Sequence, residues 1–271
     1  MKRTISVIIL IAMAIPIGFF FYSLYQETNT AKPDIIYKKI TSFSDIDLLK
    51  GKSVKPVLYT SVIPLVSLTV EKRKEAFISI MLPSILLAKH KIKMQREHVE
   101  SILAKSTRSV EDQKIIDKFK KVFSLKDATL IPKKLVTHST SIVLAQAAIE
   151  SGWGSSRFFL QANNIFGMWS FNPKDDRIAA GATREGKTIY LKKYLSLEGS
   201  VYDYFQTLSK VGSYEKFREA RRQTDNPLEL IKYLDNYSEL GDVYTQNLKT
   251  VIEKNDLQKY DDYKLALSNV Q

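Results

Sequence analysis

Residues 142–171 read IVLAQAAIESGWGSSRFFLQANNIFGMWSF and contain both tryptophans of the chain. The run 142–149 is apolar except for Gln146 and is rich in alanine, which favours helix. Ser139 or Thr140 can cap its start. Glu150 ends the run, and Gly152 stands where helices commonly end in a left-handed residue. The stretch therefore predicts a buried helix with a single carboxylate in its last turn.

The predicted position of Glu150 favours a protonated carboxyl group. The last turn is the negative end of the helix dipole, and apolar surroundings disfavour a charge. Both effects raise a carboxyl pKa, as a general acid near neutral pH requires. The alternative is an ordinary glutamate that points into solvent from the helix end. A buried Glu150 side chain would support the first interpretation, and an exposed one would support the second.

Aromatic and amide side chains follow Glu150 closely. Aromatic rings offer flat apolar surface to the C–H side of a pyranose, and amides can bind its hydroxyl or acetamido groups. The alternative for the rings is ordinary core packing. The predicted substrate-binding residues of this stretch are Trp153, Asn163, Asn164, Phe166, Gly167 and Trp169.

The composition limits the classes of partner and chemistry. The net charge of +12 predicts an anionic partner, either nucleic acid, membrane headgroups or an acidic polymer. The chain has no cysteine, which excludes disulfides, a thiol nucleophile and thiolate metal ligands. Its three histidines are too few and too scattered to indicate a zinc site. No cofactor or metal is predicted.

The N-terminal segment predicts export. Lys2 and Arg3 precede a largely apolar run over residues 5–24, which is long enough to span a bilayer. Residues 27–32 offer no clear cleavage site, so residues 1–25 are interpreted as a transmembrane signal anchor, with a cleaved signal peptide as the alternative. Export of the remainder argues against nucleic acid as a partner.

The rest of the chain alternates between helical and extended patterns. Residues 26–66 are interpreted as a linker of little fixed structure that leads into an extended segment. Helical periodicity begins near Glu71, where Pro83 predicts a kink or break, and a second amphipathic helix covers residues 110–123. Residues 178–195 predict a β-hairpin, and helical patterns follow to residue 257. The fold class is therefore α+β and mostly α.

The motifs AAIESGWGSSRF and ANNIFGMW resemble those of the glucosaminidase family of bacterial cell-wall hydrolases, glycoside hydrolase family 73, and especially its Bax-type members. The segments GATREG, YLSLEGSVYDYFQTL and YLDNYSELGDVYTQNL follow in the same order. The resemblance implies a lysozyme-like helical domain with a small β-lobe. It places the catalytic domain at residues 67–265, with a helical N-terminal part at 70–130 and a catalytic core at 135–260.

The resemblance also implies an activity and roles for particular residues. The family cleaves peptidoglycan glycan strands after N-acetylglucosamine, here in the periplasm, with residues 5–24 anchoring the chain in the inner membrane. Glu150 matches the catalytic acid and Tyr237 a tyrosine near the reacting sugar. Glu185 is the candidate second carboxylate, with a solvated hairpin-tip charge as the alternative. Ser238, expected to bind substrate, and Glu239 replace the Ala-Thr that commonly follows the tyrosine.

Several alternatives stay open. A lytic transglycosylase has a similar fold and a single acid but leaves an anhydro-sugar end. A non-catalytic wall-binding or scaffold protein would retain the groove without cleavage. A membrane-bound nucleic-acid binder is supported only by the positive charge. Within the hydrolase reading, the attacking water is activated by Glu185 or another base, or the substrate's own acetamido group attacks first.

Overall fold

A computed structural model describes residues 33–184 and 186–267 of the chain. The predicted anchor at residues 5–24 and the candidate carboxylate Glu185 both lie outside this described part. Within it, no helix is both long enough and apolar enough to cross a membrane.

The described chain is mostly helical, as predicted. Its longer helices are α1 (Val70–Leu103), α2 (Val110–Phe123), α4 (Thr140–Ser151), α6 (Leu197–Lys210) and α9 (Asp242–Lys254). Shorter helices connect them: α3 (Ile131–Lys134), α5 (Arg157–Ala162), α7 (Glu215–Ala220) and α8 (Pro227–Leu230). Single 3-10 turns lie at Phe43–Asp45, Ala128–Leu130, Gly212–Tyr214, Ile231–Tyr233, Asp235–Tyr237 and Leu257–Asp262.

The strands form small two-stranded sheets. The predicted hairpin is present as β4 (Arg177–Arg184) and β5 (Lys187–Lys192), which pair antiparallel. The other strands are β1 (Ile36–Lys39), β2 (Ser53–Val54), β3 (Val57–Ser61) and β6 (Lys264–Leu265). β1 pairs with β3 and β2 with β6, both in parallel. These pairings confirm the α+β class with a small hairpin lobe.

The prediction of little fixed structure before residue 56 is wrong for the part from β1 to β2. Ile40 and Val54 are buried, as are Tyr59 and Leu65 further along. Ile40, Tyr59 and Leu65 pack into the same core as the helices, whereas Val54 packs in a second, smaller cluster with Leu82 and Leu86 of α1. Local polarity suggested a linker, but tertiary burial of a few well-placed apolar residues overrides such weak local preferences.

Pro83 does not interrupt α1, so of the predicted kink or break, the break does not occur. The helix is continuous from Val70 to Leu103, and its middle, residues 76–88, is buried on all sides. A proline inside a helix costs about 3 kcal/mol. Burial of one large apolar side chain contributes about 1.5–3 kcal/mol, and the buried turns on either side of Pro83 hold several such chains. Packing therefore outweighs the proline.

Helix α4 lies at the centre of the core and contacts α1 and α9. Ser139 occupies its N-cap position but makes no capping hydrogen bond, so the predicted side-chain cap is not found. Asp261 takes over that role, because its carboxylate accepts from the Ser141 amide at 2.7 Å and the Ser141 hydroxyl at 2.7 Å. A carboxylate at this end also complements the helix dipole.

Gly154 is fixed by both its backbone and its surroundings, so we expect Gly154→Ala to destabilise the protein. Its φ is +80°, and a Cβ there would lie 3.2 Å from Phe77 and 3.3 Å from both Leu65 and Phe159. Left-handed strain and overpacking together predict a loss of about 2–4 kcal/mol in the free energy of unfolding. Urea denaturation of the full-length protein measures it.

Gly212→Ala is the matched control for this substitution. A Cβ at Gly212 meets no heavy atom within 4 Å, so the change should leave the urea midpoint nearly unchanged. Equal midpoints for the two alanine variants would contradict the tight packing at Gly154.

Candidate active site

Glu150 lies in the last turn of α4, as the sequence predicts. Gly152 ends the helix with a left-handed φ of 58°, and the Trp153 amide closes the turn on the Ala148 carbonyl at 2.9 Å. The Glu150 side chain is half-buried, and this burial raises the pKa of its carboxyl group above the ordinary value. A hydrogen bond from Tyr244 opposes that rise without cancelling it. The carboxyl group thus has the environment that the sequence argument required.

Helix α9 supplies the hydroxyl that contacts Glu150. Tyr244 Oη donates to Glu150 Oε1 at 2.9 Å. Gln146, one turn before Glu150 on α4, donates from Nε2 to the same hydroxyl at 3.1 Å. Gln146 is fully buried and Tyr244 nearly so. The three side chains therefore form a hydrogen-bonded set between α4 and α9.

The set continues deeper into the core. Tyr204 of α6 donates its hydroxyl to Gln146 Oε1 in a short hydrogen bond. His138 Nε2 lies 2.9 Å from the same Tyr204 hydroxyl. Burial is the main cause that lowers the pKa of His138 well below its usual range, and the nearby Arg221 and Lys89 lower it further. His138 is therefore a neutral imidazole.

Aromatic rings surround this set. Tyr237 stacks on Tyr244 with centroids 5.5 Å apart and contacts Tyr204 at 6.2 Å. Phe166 stacks on Tyr204 at 4.4 Å and is buried in the core. The Tyr237 hydroxyl is buried and has no hydrogen-bond partner within the described ranges. The fold thus brings Glu150, Tyr237 and Phe166 into one cluster through two tyrosines.

The two tryptophans make ring contacts with residues outside this cluster. Trp153 packs edge-on against Phe77 at 5.5 Å, and the Lys74 ammonium lies 5.2 Å from its ring centre. Trp169 is 40% exposed and stands beside the exposed Phe171 at 5.9 Å. Its backbone bridges to Leu191 of the hairpin. Trp169 is thus partly exposed next to the hairpin.

The amides of Asn163 and Asn164 are occupied by the backbone. Asn163 Nδ2 donates to the carbonyls of Thr60 and Tyr194, each at 3.0 Å. Asn164 Nδ2 donates to the carbonyls of Met168 and Lys192 at 3.0 and 2.8 Å, and its Oδ1 accepts from the Met168 amide at 2.9 Å. These contacts hold the loop after α5. Substrate binding by either amide stays a prediction.

The remaining predicted residues are placed as follows. Gly167 has a left-handed φ of 65° with open space around it. Ser238 is half-buried, and its hydroxyl accepts from the Leu240 amide at 3.3 Å. Glu185 is outside the described residues, so its role as a second carboxylate stays a prediction. Among residues 33–184 and 186–267, no three acidic or histidine side chains come together as a metal site would require.

Gln146, His138, Tyr204 and Tyr244 are the site residues that sequence reasoning did not single out. A signal was available for Gln146, because it is the single polar residue in the apolar run and lies four residues before Glu150, on the same helix face. Tyr244 and Tyr204 lie on the apolar faces of amphipathic helices, where their hydroxyls look like ordinary buried polar groups. No local pattern marks His138.

The chain is similar to known proteins over part of its length. Residues 130–257 match the family model described as "Glucosaminidase: Mannosyl-glycoprotein endo-beta-N-acetylglucosaminidase". This match spans α4, the hairpin and α9, and therefore includes Glu150, Tyr237 and Tyr244.

Two relatives are similar over part of their length. Protein bax of Escherichia coli (strain K12) is 30% identical over 122 residues, which cover 43% of this chain and 42% of that protein. Exo-glucosaminidase LytG of Bacillus subtilis (strain 168) is 26% identical over 178 residues, or 62% of this chain and 60% of that protein. The chain thus spans less than two thirds of either relative.

Among solved structures, the catalytic domain of the autolysin Auto from Listeria monocytogenes is 23% identical, with a TM-score of 0.39. That alignment covers 62% of this chain and 97% of the autolysin domain. The family match and the two relatives confirm the resemblance seen in the sequence motifs. Over residues 130–257, the chain is similar to the glucosaminidase family.

Proposed function

We propose that the chain is a peptidoglycan hydrolase, an endo-β-N-acetylglucosaminidase with Glu150 as general acid. One observation carries the proposal: Glu150 is a half-buried carboxyl group with a raised pKa, held by Tyr244 beside an aromatic cluster. A carboxyl group that stays protonated near neutral pH can donate its proton to a glycosidic oxygen. Similarity to the glucosaminidase family supplies the substrate class.

The proposed reaction transfers one proton from Glu150 and breaks one glycosidic bond. Glu150 gives its proton to the bridging oxygen as the bond from the anomeric carbon to that oxygen breaks, and positive charge develops on the sugar ring. Water adds to the anomeric carbon and loses a proton to a base. The products are a strand ending in reducing N-acetylglucosamine and a strand with a new free hydroxyl. Glu150 regains a proton from solvent.

Two routes for the water step follow from the family chemistry. In one, Glu185 is the base that removes the proton from water. In the other, the 2-acetamido oxygen of the substrate attacks the anomeric carbon first and water opens the resulting ring. Tyr237 is then suited to the acetamido group, because its buried hydroxyl has no hydrogen-bond partner among the described residues.

Sugar binding is proposed for Trp169 and for Trp153, Gly167 and Ser238. Trp169 carries the largest share of this proposal, because the residue is 40% exposed and its backbone bridges to the hairpin. The buried Phe166 supports the tyrosine cluster from behind. The positive charge of the chain fits an anionic wall polymer or headgroups, an attraction that weakens as salt rises. We further propose that the chain is exported to the periplasm and anchored in the inner membrane by residues 5–24.

Digestion of purified sacculi with product analysis by mass spectrometry tests the proposed function. Native full-length protein should release fragments that end in reducing N-acetylglucosamine. Anhydromuramic ends would identify a lytic transglycosylase, and binding without release would identify a non-catalytic wall protein. Fragment size separates two modes of cleavage: oligosaccharides of mixed length indicate endo cleavage, whereas single small units indicate the exo mode in the name of LytG.

A further inference from the structure

Four buried side chains connect Glu150 to the interior of the protein. Tyr244, Gln146, Tyr204 and His138 follow each other through hydrogen bonds, and they come from α9, α4, α6 and the segment before α4. All four are less than 9% exposed. The chain of contacts ends at His138, whose Nδ1 is buried without a hydrogen-bond partner in the described part of the chain.

The donation of the Tyr204 hydroxyl to Gln146 sets one direction for these hydrogen bonds. A tyrosine hydroxyl has one proton, and that of Tyr204 is given to Gln146 Oε1. His138 Nε2 must therefore carry a proton and donate it to Tyr204. Gln146 then presents its N–H to Tyr244, and the Tyr244 proton is free to point at Glu150. Each hydrogen bond of the set is therefore donated in the direction of Glu150.

The reverse direction is consistent in proton count but costs more. In it, the Glu150 carboxyl donates to Tyr244, the Gln146 amide is turned over, and Tyr204 donates to His138 Nε2. The imidazole proton would then sit on Nδ1, a buried position with no acceptor. A buried donor without a partner costs about 1–3 kcal/mol. The tautomer of His138 therefore selects the direction in which Tyr244 donates.

We infer that His138, Tyr204 and Gln146 are positioning residues that orient the Tyr244 hydroxyl so that it donates its hydrogen bond to Glu150 Oε1. The acidic proton of Glu150 is then confined to Oε2, which has no hydrogen-bond partner in residues 33–184 and 186–267. Oε2 is the oxygen from which the proton passes to the leaving sugar. This inference rests on the proposed function, since it assigns a role within the same reaction.

Other ionisable groups face the two ends of the set. Tyr204, Tyr214, Tyr237 and Tyr244 face Glu150, and their pKa values are raised mainly by burial, so all stay neutral over the working range. Arg221 and Lys89 face His138. Burial lowers the pKa of Lys89 to about 8. Its titration is common to native protein and variants, so a difference between their profiles reports on Glu150.

The variant Tyr204→Phe tests the inference. Without the Tyr204 hydroxyl, Gln146 can turn its oxygen to Tyr244, which then donates to Gln146 instead of Glu150. The carboxylate loses a hydrogen bond, so the alkaline limb of the kcat/KM profile should move up by roughly one pH unit. We expect kcat to fall about tenfold with KM little changed, because the proton of Glu150 is no longer confined to Oε2.

Tyr202→Phe is a closely matched control. Tyr202 lies on the same helix, accepts from Gln206 Nε2 at 2.7 Å and donates to Gln95 Oε1 at 2.9 Å. Tyr202→Phe therefore also removes a tyrosine hydroxyl that bridges two side chains, but these are Gln95 and Gln206 and not members of the hydrogen-bonded set of Glu150. Its pH profile should coincide with that of the native protein. If the Tyr204→Phe profile also coincides with the native one, the inference is wrong.

Nitrogen-15 NMR of the native protein gives a readout that depends neither on activity nor on a substitution within the hydrogen-bonded set. His138 should show a protonated Nε2 and a bare Nδ1 from about pH 5 to 8, with its signals assigned through His90→Gln and His98→Gln. A protonated Nδ1 would overturn the inference. Failure of native protein to cleave sacculi would instead remove the proposed function and leave the tautomer result standing.

Discussion

Glu150→Gln should lower the rate of glycan cleavage by about 10²–10⁴-fold while sacculus binding survives. Glutamine keeps the size of the side chain and an oxygen that can accept from Tyr244, but it has no proton to give to the leaving sugar. Release of soluble fragments from labelled sacculi measures the rate, and co-sedimentation measures binding. Clearing at the native rate would show that Glu150 is not the acid.

The control for this variant is Glu253→Gln, the same change at an exposed glutamate near the end of α9. It should leave both cleavage and binding at native levels. Loss of cleavage in both variants would point to a general effect of charge on attraction to the wall and not to proton donation.

Glu150→Gln should also stabilise the protein, and the size of this effect should depend on pH. Burial raises the folded-state pKa of Glu150 above its ordinary value, so the folded state holds the proton more tightly than the unfolded chain does. Stability of the native protein therefore falls as pH rises from that value through the folded pKa. Glutamine avoids this loss, so the Tm advantage of the variant should be larger at about pH 7 than at about pH 4.

Asn164→Asp should destabilise the protein by about 3–5 kcal/mol, the largest stability effect that we expect. Asn164 is 1% exposed, and its amide nitrogen holds the carbonyls of both Met168 and Lys192. Aspartate keeps the acceptor for the Met168 amide but leaves two carbonyls without their donor and buries a charge. Urea denaturation of the full-length protein measures the change.

This prediction separates the two roles considered for Asn164. If its amide binds the acetamido group of the substrate instead, the variant should keep its urea midpoint and show a raised KM. Asn172→Asp serves as control, because Asn172 is exposed and its side-chain oxygen, which accepts from the Lys174 amide, is retained in aspartate. It should change neither stability nor KM.

Much of the fold follows from local patterns. The apolar run and Gly152 predicted α4 with Glu150 in its last turn, and the pattern of residues 178–195 predicted the hairpin. Tyr244, Leu248 and Ile252 of α9 are buried, as their spacing indicates. Such features depend on residues that are close in sequence, and their physical causes, helix propensity, capping and periodic burial, act within a few turns.

The tertiary structure alone decided what surrounds Glu150. His138, Gln146, Tyr204 and Tyr244 lie on separate elements, and a helical period shows which face of a helix is buried without showing which side chains that face will meet. The parallel pairing of β1 with β3 was hidden for the same reason, because no tight turn joins the two strands. The sequence by itself determined where the acid stands on its helix. Packing of distant segments determined which hydroxyl contacts the acid. Buried polar groups need hydrogen-bond partners, and these come from the residues that the core brings together.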